Sequence, residues 1–441
     1  MTGPNARSGL VYDVDEAPRS LSHWFIYTSQ WVVTMVYAVV WGYAVVGRGL
    51  AFEGAELVDY MVRIVFLTGI CTLAQAWLGH RFAMVSGPNI IPSLAIVVAF
   101  STGGREYALQ SFNAQAIGGV AIVGLALTGA FGLVAKVFSP LALGAMIMTV
   151  GLAVASVGLG QMTAGGFGWP FWAALALALG GIVLSIRGKG VLATLPALFV
   201  IAGGYIVFGL AGALDTSLIT SPPPFTWPRP FAFGLSMPPL DLVATMLVVS
   251  LMSALNLYGN VHGYAEVVGQ EVDAARQKRS FTVFGAVENT LAGIFAVPAY
   301  VSFGENIGIV MLTRVAARRF IIAAAVIFAA LAFIGPMAGL MAAMPLPVSG
   351  AVLLGIASTV IGLGAQTWSK APRFARREIA IVGFSVFLAL GLSLLPADRW
   401  ETVPRLVTTV FSNPIISVIL FVIFLEQVLL RAKEPSRADK E

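Results

Sequence analysis

Residues 298–306 read Pro-Ala-Tyr-Val-Ser-Phe-Gly-Glu-Asn and interrupt a long apolar part of the chain. Proline removes a backbone hydrogen-bond donor and glycine weakens a helix interior, so this stretch does not fit one continuous helix. A second interruption, Phe-Ala-Met-Val-Ser-Gly-Pro-Asn, occupies residues 82–89. We expect each break to hold a few extended residues followed by a half-helix.

The chain around both breaks has the composition of a membrane protein. Its 441 residues are 58% hydrophobic and only 11% charged, whereas an ordinary globular domain is about 25% charged. This composition excludes a soluble enzyme. A helix needs roughly 20 apolar residues to span a bilayer, and fourteen apolar runs, not all of full length, predict an all-α polytopic membrane protein. The runs lie near residues 23–46, 57–79, 87–100, 113–135, 139–160, 169–186, 190–213, 239–259, 280–297, 305–316, 318–340, 346–365, 378–395 and 405–430.

The basic residues follow the topology of a membrane protein, so the formal charge of +5 does not indicate a nucleic-acid partner. If the N-terminus is cytoplasmic and all fourteen segments cross, most Lys and Arg residues face the cytoplasm, as the positive-inside rule predicts. Both termini are therefore expected in the cytoplasm. The exceptions are Arg48, Arg105, Arg229, Arg399 and Arg405 in outside loops and Arg63 within the second segment.

The longest outside loop divides the predicted segments seven and seven. It spans residues 214–238 and contains the helix-incompatible stretch Ser-Pro-Pro-Pro-Phe-Thr-Trp-Pro-Arg-Pro at 221–230. Because each half has an odd number of crossings, two related halves would form an inverted repeat. Both breaks lie in the third segment of their half. Paired broken segments indicate the substrate site of a transporter, so we expect the site between them.

Glu305 is the leading candidate for a functional carboxylate. It lies on the first turn of the second half-helix, where free N–H groups and the positive end of the helix dipole are expected to face the site. A carboxylate in the membrane can take up and release a proton, or accept hydrogen bonds from substrate N–H groups. The alternative is a carboxylate that only caps its own helix. Asn306 can satisfy backbone groups that the break leaves free.

Other polar residues in the apolar segments allow structural interpretations. Asp59 and Arg63, four residues apart on one helix face, are expected to form a structural ion pair. The role of Glu288, in the ninth segment, is open between structure and function. The amides Asn256 and Asn260 can each contact substrate or bond to another helix. Three histidines are expected near the membrane interface and lack metal-ligand spacing; they are His23, His80 and His262.

The segment Gly-Glu-Asn-Ile-Gly-Ile-Val-Met-Leu-Thr-Arg at 304–314 resembles the signature of the nucleobase–ascorbate transporter family, also called nucleobase:cation symporter 2. Gln30, the Ser86-Gly87 break and the glycine- and proline-rich stretch 335–347 support the resemblance. It implies uptake of uracil, xanthine, uric acid or ascorbate. It also implies that Glu305 is the substrate-binding carboxylate and that Phe303 lies beside the ligand.

The resemblance implies an elevator-like motion of a core domain against a gate domain, and a homodimer formed through the gate. The expected parts are a cytoplasmic N-terminus at 1–22, a core domain at 23–135 and 239–340, and a gate domain at 136–213 and 341–430. An external linker at 214–238 and a cytoplasmic tail at 431–441 complete the chain.

The chain departs from the family pattern at three places. Asn256 aligns with a second substrate-binding glutamate that is linked to the proton, and Trp31 stands where the family has histidine. Pro88 and Asn89 replace the usual aromatic after the first break. A nucleobase edge of N–H donors and C=O acceptors suits one carboxylate and one amide in an apolar pocket. Coupling could then rest on Glu305 alone, on sodium, or be absent.

The sequence therefore predicts a cation-coupled, most simply proton-coupled, nucleobase importer of the bacterial inner membrane, without a cofactor or metal. The main alternative is a related-fold carrier or exchanger of a small anion. A channel is a second alternative, although it should show a continuous polar face. An enzyme would need a convergent catalytic set. The predicted substrate-binding residues are Glu305, Asn256, Phe303, Gln30, Ser86, Gly87 and Gly304.

Overall fold

The structure, a computed structural model, describes residues 9–129, 139–188, 196–369 and 375–431, and these residues are mostly helical. The first eight residues and most of the predicted cytoplasmic tail lie outside the described residues. So do the end of the predicted segment at 113–135 and the beginning of the one at 190–213.

Sixteen α-helices of four or more residues and two short strands make up the described fold. In chain order they are α1 Leu21–Trp41, α2 Gly54–Trp77, β1 Ser86–Pro88, α3 Ile90–Thr128, α4 Pro140–Met162, α5 Trp169–Arg187, α6 Pro196–Leu210, α7 Ser217–Thr220, α8 Leu240–Val268, α9 Ala274–Val283, β2 Tyr300–Ser302, α10 Asn306–Thr313, α11 Arg318–Leu331, α12 Gly335–Ala342, α13 Leu346–Ser369, α14 Arg376–Ser393, α15 Arg405–Phe411 and α16 Pro414–Phe424. Three helices continue as π-helix, over Gly42–Gly47 after α1, Phe284–Leu291 after α9 and Leu425–Leu429 after α16.

Seven of the described helices are long and apolar enough to cross a membrane. They are α1 with its π-helical extension, α2, α3, α4, α5, α8 and α13. The apolar helices Pro196–Leu210 and Pro414–Leu429 are shorter.

The third and fourth predicted segments are two helices that join at Gly104, within the range of α3. Residues 101–112 are polar and were expected to form a loop, but all except Gly104, whose φ of 78° and ψ of −174° are non-helical, have helical backbone. The polar side chains are accommodated because they bond to the helix backbone. Ser101 Oγ donates to Val97 O at 3.2 Å, and Thr102 Oγ1 donates to Val98 O at 3.0 Å.

The eleventh predicted segment, 318–340, is two helices instead of one. The chain breaks between α11 and α12, where Pro336 begins the second helix. The linker at 214–238 satisfies the backbone at this break, since Thr226 N donates to Phe333 O at 3.0 Å and Gly335 N donates to Pro224 O at 3.2 Å. A linker contact that is distant in sequence leaves no signal in the apolar pattern.

The chain divides into two compact units, residues 1–130 with 156–355 and residues 131–155 with 356–441. Small residues allow close helix packing in each unit. In the first unit, a Cβ atom on Gly69 of α2 would lie 2.6 Å from the backbone nitrogen of Ala329 in α11. In the second unit, a Cβ atom on Gly151 of α4 would lie 2.6 Å from Ile361 Cγ1 in α13.

Residues 11–19, which we call the N-terminal strap, bind the end of α10. Tyr12 N donates to Arg314 O at 3.2 Å, and Asp15 pairs with Arg318 at 2.6 Å. The Tyr12 side chain is wholly buried. The strap therefore fixes the segment that follows the second half-helix.

Candidate substrate-binding site

The two broken segments meet in the folded chain. β1 and β2 pair antiparallel, as the expectation of short extended stretches before two half-helices requires. Two flanking backbone bonds extend the pairing, from Phe303 N to Val85 O at 3.0 Å and from Asn89 N to Ala299 O at 2.7 Å. The strands thus satisfy each other's backbone groups inside the apolar fold. The paired residues are Ser86 with Ser302, Gly87 with Val301 and Pro88 with Tyr300.

The half-helix after β1 begins with its own cap. Asn89 Oδ1 accepts a hydrogen bond from Ile91 N at 3.0 Å. The Asn89 side chain is buried, and within the described residues its Nδ2 has no acceptor. The beginning of α3 is therefore less open to an anion than the sequence suggested.

The half-helix after β2 also differs from the expectation of free N–H groups. The backbone nitrogens of Asn306, Ile307 and Gly308 donate to the carbonyl oxygens three residues earlier, at 3.0–3.4 Å. Asn306 Nδ2 donates to Phe303 O at 2.7 Å, so Asn306 does satisfy the freed backbone as predicted. Tight turn bonds therefore use the N–H groups at the beginning of α10.

Glu305 remains as the main polar group at the beginning of α10. It occupies the N-cap position, but its side chain makes no capping hydrogen bond. It is half-buried, and no cation of the described chain forms an ion pair with it. Within the described residues the carboxylate therefore has no capping bond to α10, and its contact with a bound molecule stays a prediction.

Phe303 and Gly87 are in direct contact. A Cβ atom on Gly87 would lie 2.5 Å from Phe303 Cζ and 2.9 Å from Ala38 Cβ. Only glycine fits between α1 and the Phe303 ring, which also lies near the rings of Tyr37 and Trp41 at centroid distances of 6.4 Å. These two α1 aromatics were not predicted as site residues, although their spacing of four residues places them on one helix face.

Asn256 joins the site through Asn260. Asn260 Nδ2 donates to Asn256 Oδ1 at 2.8 Å and to Ser302 O, also at 2.8 Å. A Cβ atom on Gly304 would lie 2.8 Å from Asn260 Oδ1, so a larger residue at 304 would clash with the Asn260 side chain. Asn260 therefore bonds α8 to β2, whereas Asn256 keeps its amide nitrogen for another acceptor.

Gln30 is not bonded to the other predicted residues. Its side chain is buried, and its Nε2 has no acceptor among the described residues. Its backbone oxygen accepts from Thr34 Oγ1 at 2.9 Å. A substrate contact by Gln30 stays a prediction.

The polar atoms of Ser86 are used inside the protein. Ser86 N donates to Thr72 Oγ1 at 2.9 Å, and Ser86 Oγ lies 2.9 Å from Ser302 Oγ. Ser302 Oγ is also 2.9 Å from His80 Nε2. Because Phe82 N donates to His80 Nδ1 at 3.0 Å, the ring proton is on Nε2 and is donated to Ser302. His80 is wholly buried within the protein, and its position near the membrane interface stays a prediction.

Glu288 is also wholly buried, and it belongs to the polar cluster behind the strands. Gln75 Nε2 donates to Glu288 Oε2 at 2.8 Å, and Gln75 Oε1 accepts from His80 N at 3.3 Å. Gln75 was not singled out in the sequence, although a glutamine inside an apolar helix is a usable signal.

The predicted ion pair of Asp59 and Arg63 is confirmed, with 3.3 Å between Asp59 Oδ2 and Arg63 Nη2. Arg63 is wholly buried and its Nη1 donates to the carbonyl oxygens of Phe295 and Ala296, at 2.9 and 3.1 Å. Asp59 also accepts from Arg229 of the 214–238 linker at 2.9 Å. The pair has a structural role in holding the turn that leads into β2.

Residues 22–398 match the model of the Permease family, Xan_ur_permease. The chain belongs to the nucleobase–ascorbate transporter family. The predicted resemblance is thus confirmed. Members of this family are permeases and not enzymes, and the chain is a multi-pass membrane protein.

Relatives in the nucleobase–ascorbate transporter family align over most of their length. Uric acid permease PucJ of Bacillus subtilis (strain 168) is 25% identical, over 84% of this chain and 85% of PucJ. The xanthine permease of the same organism is 24% identical, over 85% of this chain and 86% of that permease. The uracil permease of Bacillus caldolyticus is 26% identical, over 87% and 88%.

Solved structures show the same fold in anion transporters. The transmembrane domain of the cyanobacterial bicarbonate transporter BicA has a TM-score of 0.57 at 14% identity, covering 89% of this chain and 98% of BicA's domain. The murine anion transporter Slc26a9 in the inward-facing state has a TM-score of 0.64 at 12% identity, and the match covers 90% of this chain and 68% of Slc26a9. At these identities the likeness concerns the fold alone.

Proposed function

We propose that the protein imports a nucleobase across the bacterial inner membrane by proton-coupled symport. The observation that carries the proposal is Glu305, a half-buried carboxylate without a capping bond, placed at the beginning of α10 directly after the paired strands. The family assignment supports it, because relatives named as uric acid, xanthine and uracil permeases align over most of the chain.

The site chemistry suits the edge of a nucleobase. Glu305 supplies acceptors for ring N–H groups, and Asn256 supplies an amide donor for a ring carbonyl. Phe303 supplies an aromatic surface for a flat ring. Since the N–H groups at the beginning of α10 are bonded to the preceding turn, recognition rests on these side chains. A protonated Glu305 carboxyl keeps one oxygen that can accept a substrate N–H, so the coupling proton and the substrate can bind together.

A coupled cycle follows from this joint binding. Glu305 binds substrate and a proton from the outside, and it releases both inside after the core domain moves against the gate domain. We propose the fourteen crossings, the inverted repeat, the cytoplasmic termini, the core and gate boundaries and a homodimer as the framework for this motion. The pairing of the two broken segments supports the repeat.

A small-anion carrier is the second candidate, since the solved structures of similar fold are anion transporters. Two observations weigh against it. Asn89 caps the beginning of α3, and Glu305 adds a negative charge at the beginning of α10. An anion site would need the opposite field. A channel should show a continuous polar face along a pore. Here the polar groups are concentrated around the paired strands β1 and β2, so a channel is disfavoured.

The test is uptake into proteoliposomes of labelled uracil, xanthine, hypoxanthine, urate, ascorbate, bicarbonate and chloride. Each is measured with an inward proton gradient, an inward sodium gradient, or neither. We expect uptake of at least one nucleobase, stimulated by the proton gradient. Uptake of the anions alone would contradict the proposal, and stimulation by sodium alone would contradict its coupling ion.

A further inference from the structure

In the aromatic cluster of Tyr37, Trp41 and Phe303, the two α1 rings have no assigned task. Tyr37 and Trp41 of α1 flank Phe303, each with a centroid distance of 6.4 Å and interplanar angles of 65° and 56°. Phe303 is in turn pressed onto Gly87. The cluster therefore has little room to rearrange on its β1 side.

The three rings differ in exposure. Trp41 is 4% exposed and Phe303 is 9% exposed, whereas Tyr37 is only half-buried. The Tyr37 ring reaches Phe303 from α1, and Glu305 follows Phe303 by two residues. Of the three rings, Tyr37 is thus the one with free surface beside the proposed substrate carboxylate.

We infer that Tyr37 is a specificity-determining residue that limits the size of the ring system bound at Glu305. This inference rests on the proposed function. A ring held by its edge at Glu305 must share the adjacent space with the Tyr37 side chain, because Phe303 is fixed against Gly87. A one-ring base fits with Tyr37 in place, and a two-ring base needs the volume that the phenol fills. The protein therefore prefers monocyclic nucleobases.

The experiment compares uracil with xanthine in the wild type and in Tyr37→Ser, Tyr37→Leu and Tyr37→Phe. The readout is the ratio of the two kcat/KM values in proteoliposomes, which does not depend on the amount of protein. Wild type is expected to prefer uracil. Tyr37→Ser and Tyr37→Leu are expected to shift the ratio toward xanthine by about tenfold or more. Tyr37→Phe keeps the ring volume and is expected to stay within about twofold of wild type.

Tyr27→Ser is the matched control, because Tyr27 lies on the same helix but packs on Tyr12 and Phe320. Its ratio is expected to equal that of the wild type. If Tyr37→Ser does not insert, Tyr37→Leu gives the same information with an apolar side chain. An unchanged ratio in the folded Tyr37 variants, or a wild-type preference for xanthine, overturns the inference and leaves the proposed function intact. If the wild type takes up neither uracil nor xanthine, both the inference about Tyr37 and the proposed function are overturned.

Discussion

At the scale of single residues, the candidate site depends on close contacts that leave no space for a side chain at two glycines. Gly87 separates Ala38 from the Phe303 ring, and Gly304 leaves room for Asn260. The sequence predicted both glycines from their place in the breaks. It did not predict their neighbours, because Ala38 and Asn260 come from helices remote in the chain.

Gly87→Ala is expected to reduce nucleobase uptake strongly. The added methyl group would lie 2.5 Å from Phe303 Cζ, and overpacking of this kind costs about 1–3 kcal/mol. Uptake per molecule in proteoliposomes measures the effect. Gly308→Ala is the control, since a Cβ atom there has no neighbour within 4 Å. Equal uptake by Gly87→Ala and wild type would show that Phe303 is not held as described.

Asn256→Glu is expected to shift specificity toward ordinary uracil or xanthine transport. The exchange replaces an amide donor with a second carboxylate, which matches bases that present more N–H groups. Asn256→Gln keeps the amide and serves as the control. Competition of unlabelled bases against a labelled one measures the change. The same ranking of bases in Asn256→Glu and wild type would remove Asn256 from the site.

At the scale of elements, the structure could be predicted from the sequence where it depends on neighbouring residues. It could not be predicted where it depends on contacts between residues distant in the chain. The breaks at Gly87 and Gly304 and the Asp59–Arg63 pair follow from residues close in sequence. The helical backbone of residues 101–112 is accompanied by side-chain bonds to the helix backbone, and the break after α11 by bonds to the 214–238 linker. The hydrogen bond of His80 joins it to a serine that is distant in sequence.

The N-terminal strap is an element that the sequence did not reveal. Glu16 and Arg19 pair within it at 2.7 Å, and the hydrogen bond from Arg19 lowers the pKa of Glu16. A lowered acid pKa means that the pair is fully present above the ordinary glutamate pKa and is lost only as the pH falls through the lowered value. The strap is therefore expected to stay in place throughout the neutral range.

Tyr12→Ala is expected to destabilise the protein. Tyr12 is wholly buried against the rings of His23, Tyr27 and Phe320, and emptying such an aromatic site costs about 3 kcal/mol. The midpoint of thermal unfolding in detergent should fall. Val11→Ala, at a side chain that is 41% exposed, is the control. An unchanged midpoint for Tyr12→Ala would mean that the strap does not stabilise the fold.

At the scale of the whole molecule, a fold shared with anion transporters places a carboxylate, Glu305, directly after the paired strands. Fold alone does not decide what is carried, because function resides in the side chains of the site. In the proposed function, Glu305 and Asn256 distinguish a nucleobase site from an anion site. The account therefore depends on Glu305 more than on any other residue.

The most direct test is substrate-driven proton movement into proteoliposomes that contain a trapped pH indicator. Addition of the transported nucleobase is expected to acidify the lumen with wild-type protein and with Glu266→Gln, a change at an exposed carboxylate of α8. Glu305→Gln is expected to abolish the acidification, because the amide cannot carry the proton. Acidification by Glu305→Gln at the wild-type rate would contradict the central claim.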